Sequence, residues 1–168
     1  MAIVDIALIC ESGHVINAYS SRIKELNVNY CKDCGKKAIS QCPKCHSPIP
    51  GGLVTSEPAF LHELIKQGSE YTVPNFCSSC GTAFPWKPER ERALEDVINE
   101  LANLSPEEKA KLTKAIPDIL IKTARTPTAS MHFKKAMKTI GSEGGKVLRQ
   151  VILEVAPEVV KDMLGLKV

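Results

Sequence analysis

The sequence predicts an α+β protein in which a small β-rich module built around two zinc ions precedes a helical C-terminal domain. Three observations carry this. Six of the seven cysteines fall into C-x2-C pairs and all seven lie before residue 81. Short apolar runs broken by Gly, Pro, Ser and Asn fill the N-terminal part, as in small β modules. From residue 88 onward there is no Cys, Tyr or Trp, and Ala, Glu, Lys, Leu and Ile recur with a helical period. The expected division is a two-zinc module over 1–88 and a helical domain over 89–168.

The first segments, "AIVDIALIC" and "HVINAYS", read as two β segments around an "ESG" turn. This places Cys10 and His14 at a hairpin tip, with Gly13 available for the turn. Cys31 and Cys34, Cys42 and Cys45, and Cys77 and Cys80 form the three C-x2-C pairs. With Cys10 and His14 they make eight ligands, the number two tetrahedral zinc sites require. Two residues between thiolates let the chain fold over a metal while backbone N–H groups point at the sulfurs. Glycine after the second cysteine, as at Gly35 and Gly81, allows the positive φ with which the chain leaves, and Pro43 pre-sets a similar turn. An odd cysteine count weighs against a disulfide framework, and the lack of a βαβ context weighs against a redox C-x2-C. His46, directly after Cys45, is an alternative to His14, although its side chain is expected to point away from the metal. His62 and His132 read as surface or packing histidines.

The intervals between pairs are sixteen, seven and thirty-one residues. Spacing ranks three arrangements. The first is a RING-like or treble-clef cross-brace, with Cys10, His14, Cys42 and Cys45 at one site and Cys31, Cys34, Cys77 and Cys80 at the other. The second is a zinc ribbon of Cys31, Cys34, Cys42 and Cys45, leaving Cys10 and His14 to meet Cys77 and Cys80. The third is sequential pairing. Within the long interval, "SEPAFLHELIKQG" predicts an inserted helix around 57–67, with Ser56 as N-cap, Pro58 in the first turn and Gly68 at the end. Trp86, the single tryptophan, is expected to pack on the zinc module.

In the second half, "KPERERALEDVINELANL" places Leu94, Val97, Ile98 and Leu101 on one helical stripe. "LSPEEKAKLTKAI" starts with Ser105 as N-cap, Pro106 at the first helical position and Glu108 where a capping box needs it, and Pro117 is expected to end it. "RTPTAS" and "GSEGG" read as breaks on either side of "MHFKKAMKTI". The last stretch repeats apolar residues every fourth position, as Val147, Val151, Val155 and Val159 and as Leu148, Ile152, Ala156 and Val160, with Pro157 able to kink or split it.

A formal net charge of +3 is too mild to argue for nucleic acid. The most basic patch, His132, Lys134, Lys135, Lys138, Lys146 and Arg149 within 132–149, reads first as a solvated helix face. The N-terminus lacks a basic n-region and carries Asp5 within its apolar run. No stretch of about eighteen apolar residues occurs, so no membrane partner is expected and the reading is a soluble, cytoplasmic protein.

Taken together, "ICESGHVIN", "YCKDCGKKAI", "CPKCHSPIPGG" and "FCSSCGTAFPW" resemble an uncharacterised bacterial family, a domain of unknown function with a Cys-rich N-terminal region and a helical tail. The resemblance covers roughly residues 1–88 and extends only loosely beyond. It implies bacterial origin and zinc, and it supplies no catalytic residues. The expected role is a non-enzymatic interaction or adaptor module that meets a protein partner or a second copy through its C-terminal helices. The alternatives are a nucleic-acid-binding zinc-ribbon protein using the 132–149 patch and a RING-like adaptor of a transfer enzyme. Four protein ligands at each site leave no open position for catalysis, and no H-E-x-x-H, phosphate loop or G-x-S-x-G occurs.

Overall fold

A computed structural model describes residues 3–54 and 71–166 of the chain. The chain divides into two compact units, 1–88 and 89–168. The inserted helix expected around 57–67, and His62 within it, lie outside the described residues.

The first unit contains strands β1 (Ile3–Ile6), β2 (Leu8–Cys10), β3 (Val15–Asn17), β4 (Ala38–Ile39) and β5 (Pro50–Val54). The apolar run "AIVDIALIC", expected as one segment, is split at Ala7. β1 pairs antiparallel with β5, whereas β2 is the middle strand of a β3-β2-β4 sheet. Ala7 is fully buried at the switch, and its N–H donates to the Ile49 carbonyl at 2.9 Å. The split therefore costs no backbone hydrogen bond there. Asp5 is buried beside it and accepts from the N–H groups of Ile6 and Ser21 and from the Ser21 hydroxyl, with Arg22 Nε 3.4 Å away. This charge is what interrupts the N-terminal apolar run, and it ties β1 to the turn after β3. Gly51 and Gly52 allow close backbone approach, since an added Cβ would collide with the Ala18 carbonyl at the first and the Tyr19 ring at the second.

Five helices follow: α1 (Trp86–Glu100), α2 (Pro106–Leu120), α3 (Thr126–Thr139), α4 (Gly141–Val155) and α5 (Glu158–Leu164). Their apolar stripes converge on one core that includes Leu94, Ile98, Leu112, Ile116, Ile119, Phe133, Leu148, Ile152 and Val160. Of the two stripes in the last stretch, Leu148, Ile152, Ala156 and Val160 are buried, while Val147 is 53% exposed. Pro157 does split that stretch, because α4 ends at Val155 and Pro157 is the N-cap of α5.

Three sequence expectations are corrected here. Pro117 does not end α2, which runs through it to Leu120. Burial of Ile116, Ile119 and Leu120 on the core side outweighs the backbone bond proline removes. "RTPTAS" is mostly helix, because α3 begins at Thr126 with Pro127 in its first turn. Thr126 is buried there, its hydroxyl donating toward the carbonyls of Asp118 at 3.0 Å and Ile121 at 3.2 Å. "GSEGG" is the first turn of α4, and Gly141, at φ 82°, makes the turn from α3 that allows α4 to start immediately.

The capping box at the start of α2 is complete. Glu108 N–H donates to Ser105 Oγ at 3.2 Å, and Ser105 N–H donates to Glu108 Oε2 at 3.0 Å. Ser105→Ala should lower the stability of the helical unit by about 1 kcal/mol. Urea unfolding followed by helical circular dichroism checks this, and an unchanged midpoint would refute it.

Candidate metal centres

The three C-x2-C segments adopt one repeated turn. In each, the first cysteine's N–H donates to the carbonyl five residues on: Cys31 to Lys36, Cys42 to Ser47 and Cys77 to Thr82, all at 2.9 Å. The residue after the second cysteine donates back to the first cysteine's carbonyl: Gly35 to Cys31, His46 to Cys42 and Gly81 to Cys77, also at 2.9 Å. Each turn is closed by a single β-bridge, Tyr30 to Lys37, Gln41 to Pro48 and Phe76 to Ala83. This geometry requires positive φ at the residue after the second cysteine. Gly35 has 69°, Gly81 has 70° and His46 has 59°. His46 is thus a glycine-position residue, and it belongs to neither metal group. Aligning the three turns by sequence shows the signal, since His46 follows Cys45 as Gly35 follows Cys34.

Cys10 and His14 form a different turn at the β2–β3 tip. Cys10 N–H donates to the His14 carbonyl at 3.0 Å, Gly13 N–H to the Cys10 carbonyl at 2.8 Å, and His14 N–H to Cys10 Sγ at 3.3 Å. Gly13 takes φ 88° to close it.

The eight side chains come together in two groups of four, Cys10, His14, Cys31 and Cys34, and Cys42, Cys45, Cys77 and Cys80. Within each group the potential ligand atoms all lie within 4.8 Å of one another, so each could hold a metal ion. In the first, Cys10 Sγ is 3.6 Å from Cys34 Sγ, and Cys31 Sγ is 3.6 Å from His14 Nδ1. In the second, Cys42 and Cys80 sulfurs are 3.8 Å apart, and those of Cys45 and Cys77 are 3.5 Å apart. Thiolates bound at about 2.3 Å to one tetrahedral ion stand roughly 3.8 Å apart, whereas disulfide sulfurs stand about 2.05 Å apart. All seven cysteines are free.

This grouping is sequential. It corrects the cross-brace and ribbon arrangements that spacing ranked higher. Strand pairing decides it: β4 directly follows the Cys31–Cys34 turn and pairs with β2, with Cys10 opposite Ala38, and Glu11 N–H donates to the Lys37 carbonyl at 3.0 Å. The second cysteine pair is therefore set beside the first. The Cys42 turn is left to meet Cys77 across a cluster of Ala7, Ile9, Ile49, Phe84 and Trp86. Trp86 is fully buried in that cluster, stacked on Phe84 with centroids 4.7 Å apart, and its Nε1–H donates to the Pro74 carbonyl at 2.8 Å.

The two groups differ in environment. The second has Cys42, Cys45 and Cys77 packed into the apolar cluster, with a hydroxyl 3.4 Å from each second cysteine, Ser47 at Cys45 and Thr82 at Cys80. Hydrogen bonding from the Ser47 hydroxyl, aided by the Ser47 backbone, pulls the Cys45 thiol down to about 6, and the Thr82 hydroxyl lowers that of Cys80. A thiol at about 6 is mostly thiolate at neutral pH, the form that binds metal. In the first group, backbone N–H bonds lower Cys31 and Cys34, from Asp33 and Lys36 respectively, while burial raises Cys10. His14 and Cys34 are exposed, and no member of this group belongs to the apolar cluster.

Two outcomes follow from this geometry. His46→Gly should stabilise the metal-loaded protein by about 1 kcal/mol by removing a side chain from left-handed backbone, whereas Gly35→Ala and Gly81→Ala should destabilise it similarly. An added Cβ at either glycine meets nothing within 4 Å, so melting temperatures isolate the backbone effect. Equal melting temperatures for all three variants would contradict the shared turn. Second, chelator should strip the first group, with two exposed members and none in the apolar cluster, faster than the second, seen as two phases of metal release. Cys10→Ser should abolish the faster phase and Cys77→Ser the slower, and a single phase in the unaltered protein would contradict the difference.

Among the described residues, no helix is long and apolar enough to cross a membrane. No curated protein and no solved structure matches the chain. The family model DUF2321, described as an uncharacterised protein conserved in bacteria, matches residues 3–164, and so spans the helical half as well as the cysteine-rich one. The chain belongs to this uncharacterised bacterial family.

Proposed function

We propose that this protein is a non-enzymatic interaction module whose first unit is held in shape by two structural zinc ions and whose helical unit meets a protein partner. The observation that carries the reading is the closure of both groups, each supplying four N or S donors at tetrahedral spacing. Three thiolates with one imidazole, and four thiolates, are donor sets suited to zinc. Four protein donors leave no position for water or substrate, so the ions serve the fold rather than chemistry. The first unit has short strands of two to five residues, too little sheet to order the unit by itself. A structural zinc supplies on the order of 10 kcal/mol.

The RING-like adaptor reading rested on cross-brace order, and sequential grouping removes that support. Nucleic-acid binding through 132–149 draws no support from Phe, Tyr or Trp, because Phe133, the one such residue within that patch, is buried.

Elemental analysis of protein purified without added metal should return two zinc ions per chain, with all thiols becoming reactive only after chelation. In hydrogen exchange, chelation should expose the amides of the first unit and leave α1–α5 largely protected. One metal per chain, oxidised thiols, or equal loss of protection in both units would overturn the reading.

A further inference from the structure

Between α2 and α3 runs a groove formed by two adjoining cavities. One, of about 170 Å³, is lined by Glu108, Lys111, Leu112, His132, Lys135 and Ala136. The other, of about 140 Å³, shares Lys111 and His132 and continues past Lys114 and Ala115 to Asp118 and Arg125. From Glu108 to Asp118 the groove follows α2 for about 15 Å, at 1.5 Å per residue. Its floor is buried and apolar, with Leu112, Ala115, Ala129 and Ala136 all at most 7% exposed.

Its charges are unbalanced in a specific way. Both acidic residues at its ends are engaged: Glu108 in the capping box, and Asp118 with Arg125 Nε at 3.5 Å and the Thr123 hydroxyl at 2.7 Å. Lys111, Lys114 and Lys135 are exposed and, among the described residues, take part in no salt bridge. His132 stands between them. The basic patch read from sequence is divided by the helix, since Lys134 and Lys138 line neither cavity, and two lysines from α2 take their place.

We propose that this groove is the docking site for an acidic segment of a partner protein, whose carboxylates pair with Lys111, Lys114 and Lys135 while small apolar side chains rest on the Leu112–Ala129 floor. Exposed lysines in no salt bridge, with Lys111 facing only Glu107 one turn earlier on α2, stand over a buried apolar floor and fit a peptide in which acidic and small apolar residues alternate. Bases have no extended aromatic platform there, because none of the lining residues is Phe, Tyr or Trp and His132 supplies the one ring. This deepens the interaction role proposed above and rests on its partner half, independently of the zinc.

The test uses the full-length, metal-loaded protein and a fluorescent peptide of about ten residues of alternating Glu and Ala, long enough extended to span the groove. Fluorescence anisotropy should show salt-sensitive binding, and backbone amide NMR shifts should concentrate in 108–118 and 125–136. The Lys111→Glu/Lys135→Glu double variant should weaken binding by about tenfold or more. The Lys134→Glu/Lys138→Glu variant carries the same charge change on exposed positions outside the groove and should retain most of the affinity. Equal weakening by both double variants, tighter binding of a single-stranded oligonucleotide than of the peptide, or no peptide binding at all would each overturn the proposal. Metal content measured on the same samples separates these outcomes from failure of the zinc reading.

Discussion

The arrangement of the first unit depends on bringing the Cys77–Cys80 turn back against the Cys42–Cys45 turn across a gap of thirty-one residues. Bringing together turns so far apart in the chain carries a chain-entropy cost that only contacts made after closure can offset. Those contacts are the four converging sulfurs and the apolar residues behind them. Cys42 and Cys77 are buried with Ala7, Ile9, Ile49, Phe84 and Trp86, so the gathering of the sulfurs and hydrophobic packing share the same side chains. The strands themselves are too short to supply this: β4 is two residues long, and β2 and β3 are three each.

The same turn occurs three times because it solves one problem. A tight loop must present two sulfurs to one point without stranding its backbone donors, and the 2.9 Å pair of bonds in each C-x2-C turn closes the loop and satisfies two of them. The turn imposes positive φ at one position, which two copies meet with glycine and one with histidine. Around this shared backbone the outer atoms differ. Ser47 and Thr82 place hydroxyls by the second group's sulfurs, while Lys36 holds the equivalent position in the first. Three members of the all-cysteine group pack into the apolar cluster while Cys80 stays exposed, and Cys10 and His14 of the other group stand at a hairpin tip.

The helical unit follows a different logic. Its stability comes from apolar stripes meeting in one core and from helix ends that satisfy their own backbone groups, as at Ser105 and Glu108 or at Gly165, which ends α5 with φ 71°. On its surface, the groove between α2 and α3 gathers lysines from both helices over a buried apolar floor.

The amino-acid sequence by itself determined the two-part α+β composition, the seven cysteines and His14 as the side chains that gather into groups able to hold a metal, the capping box and the core stripe Leu148, Ile152, Ala156 and Val160. These are local properties, set by spacing, helical period and side-chain chemistry within a few residues. Tertiary structure alone decided which cysteine pairs meet, because the β2–β4 register that sets Cys10 opposite Ala38 joins segments far apart in the chain and leaves no trace in the intervals. It also decided that α2 runs through Pro117, where burial of Ile116, Ile119 and Leu120 outweighs the local breaking signal, and that "GSEGG" opens α4, where the positive φ of Gly141 makes the turn from α3. The basic groove is the plainest case. Lys111 and Lys114 lie more than twenty residues before Lys135, and only the packing of α2 on α3 makes them neighbours.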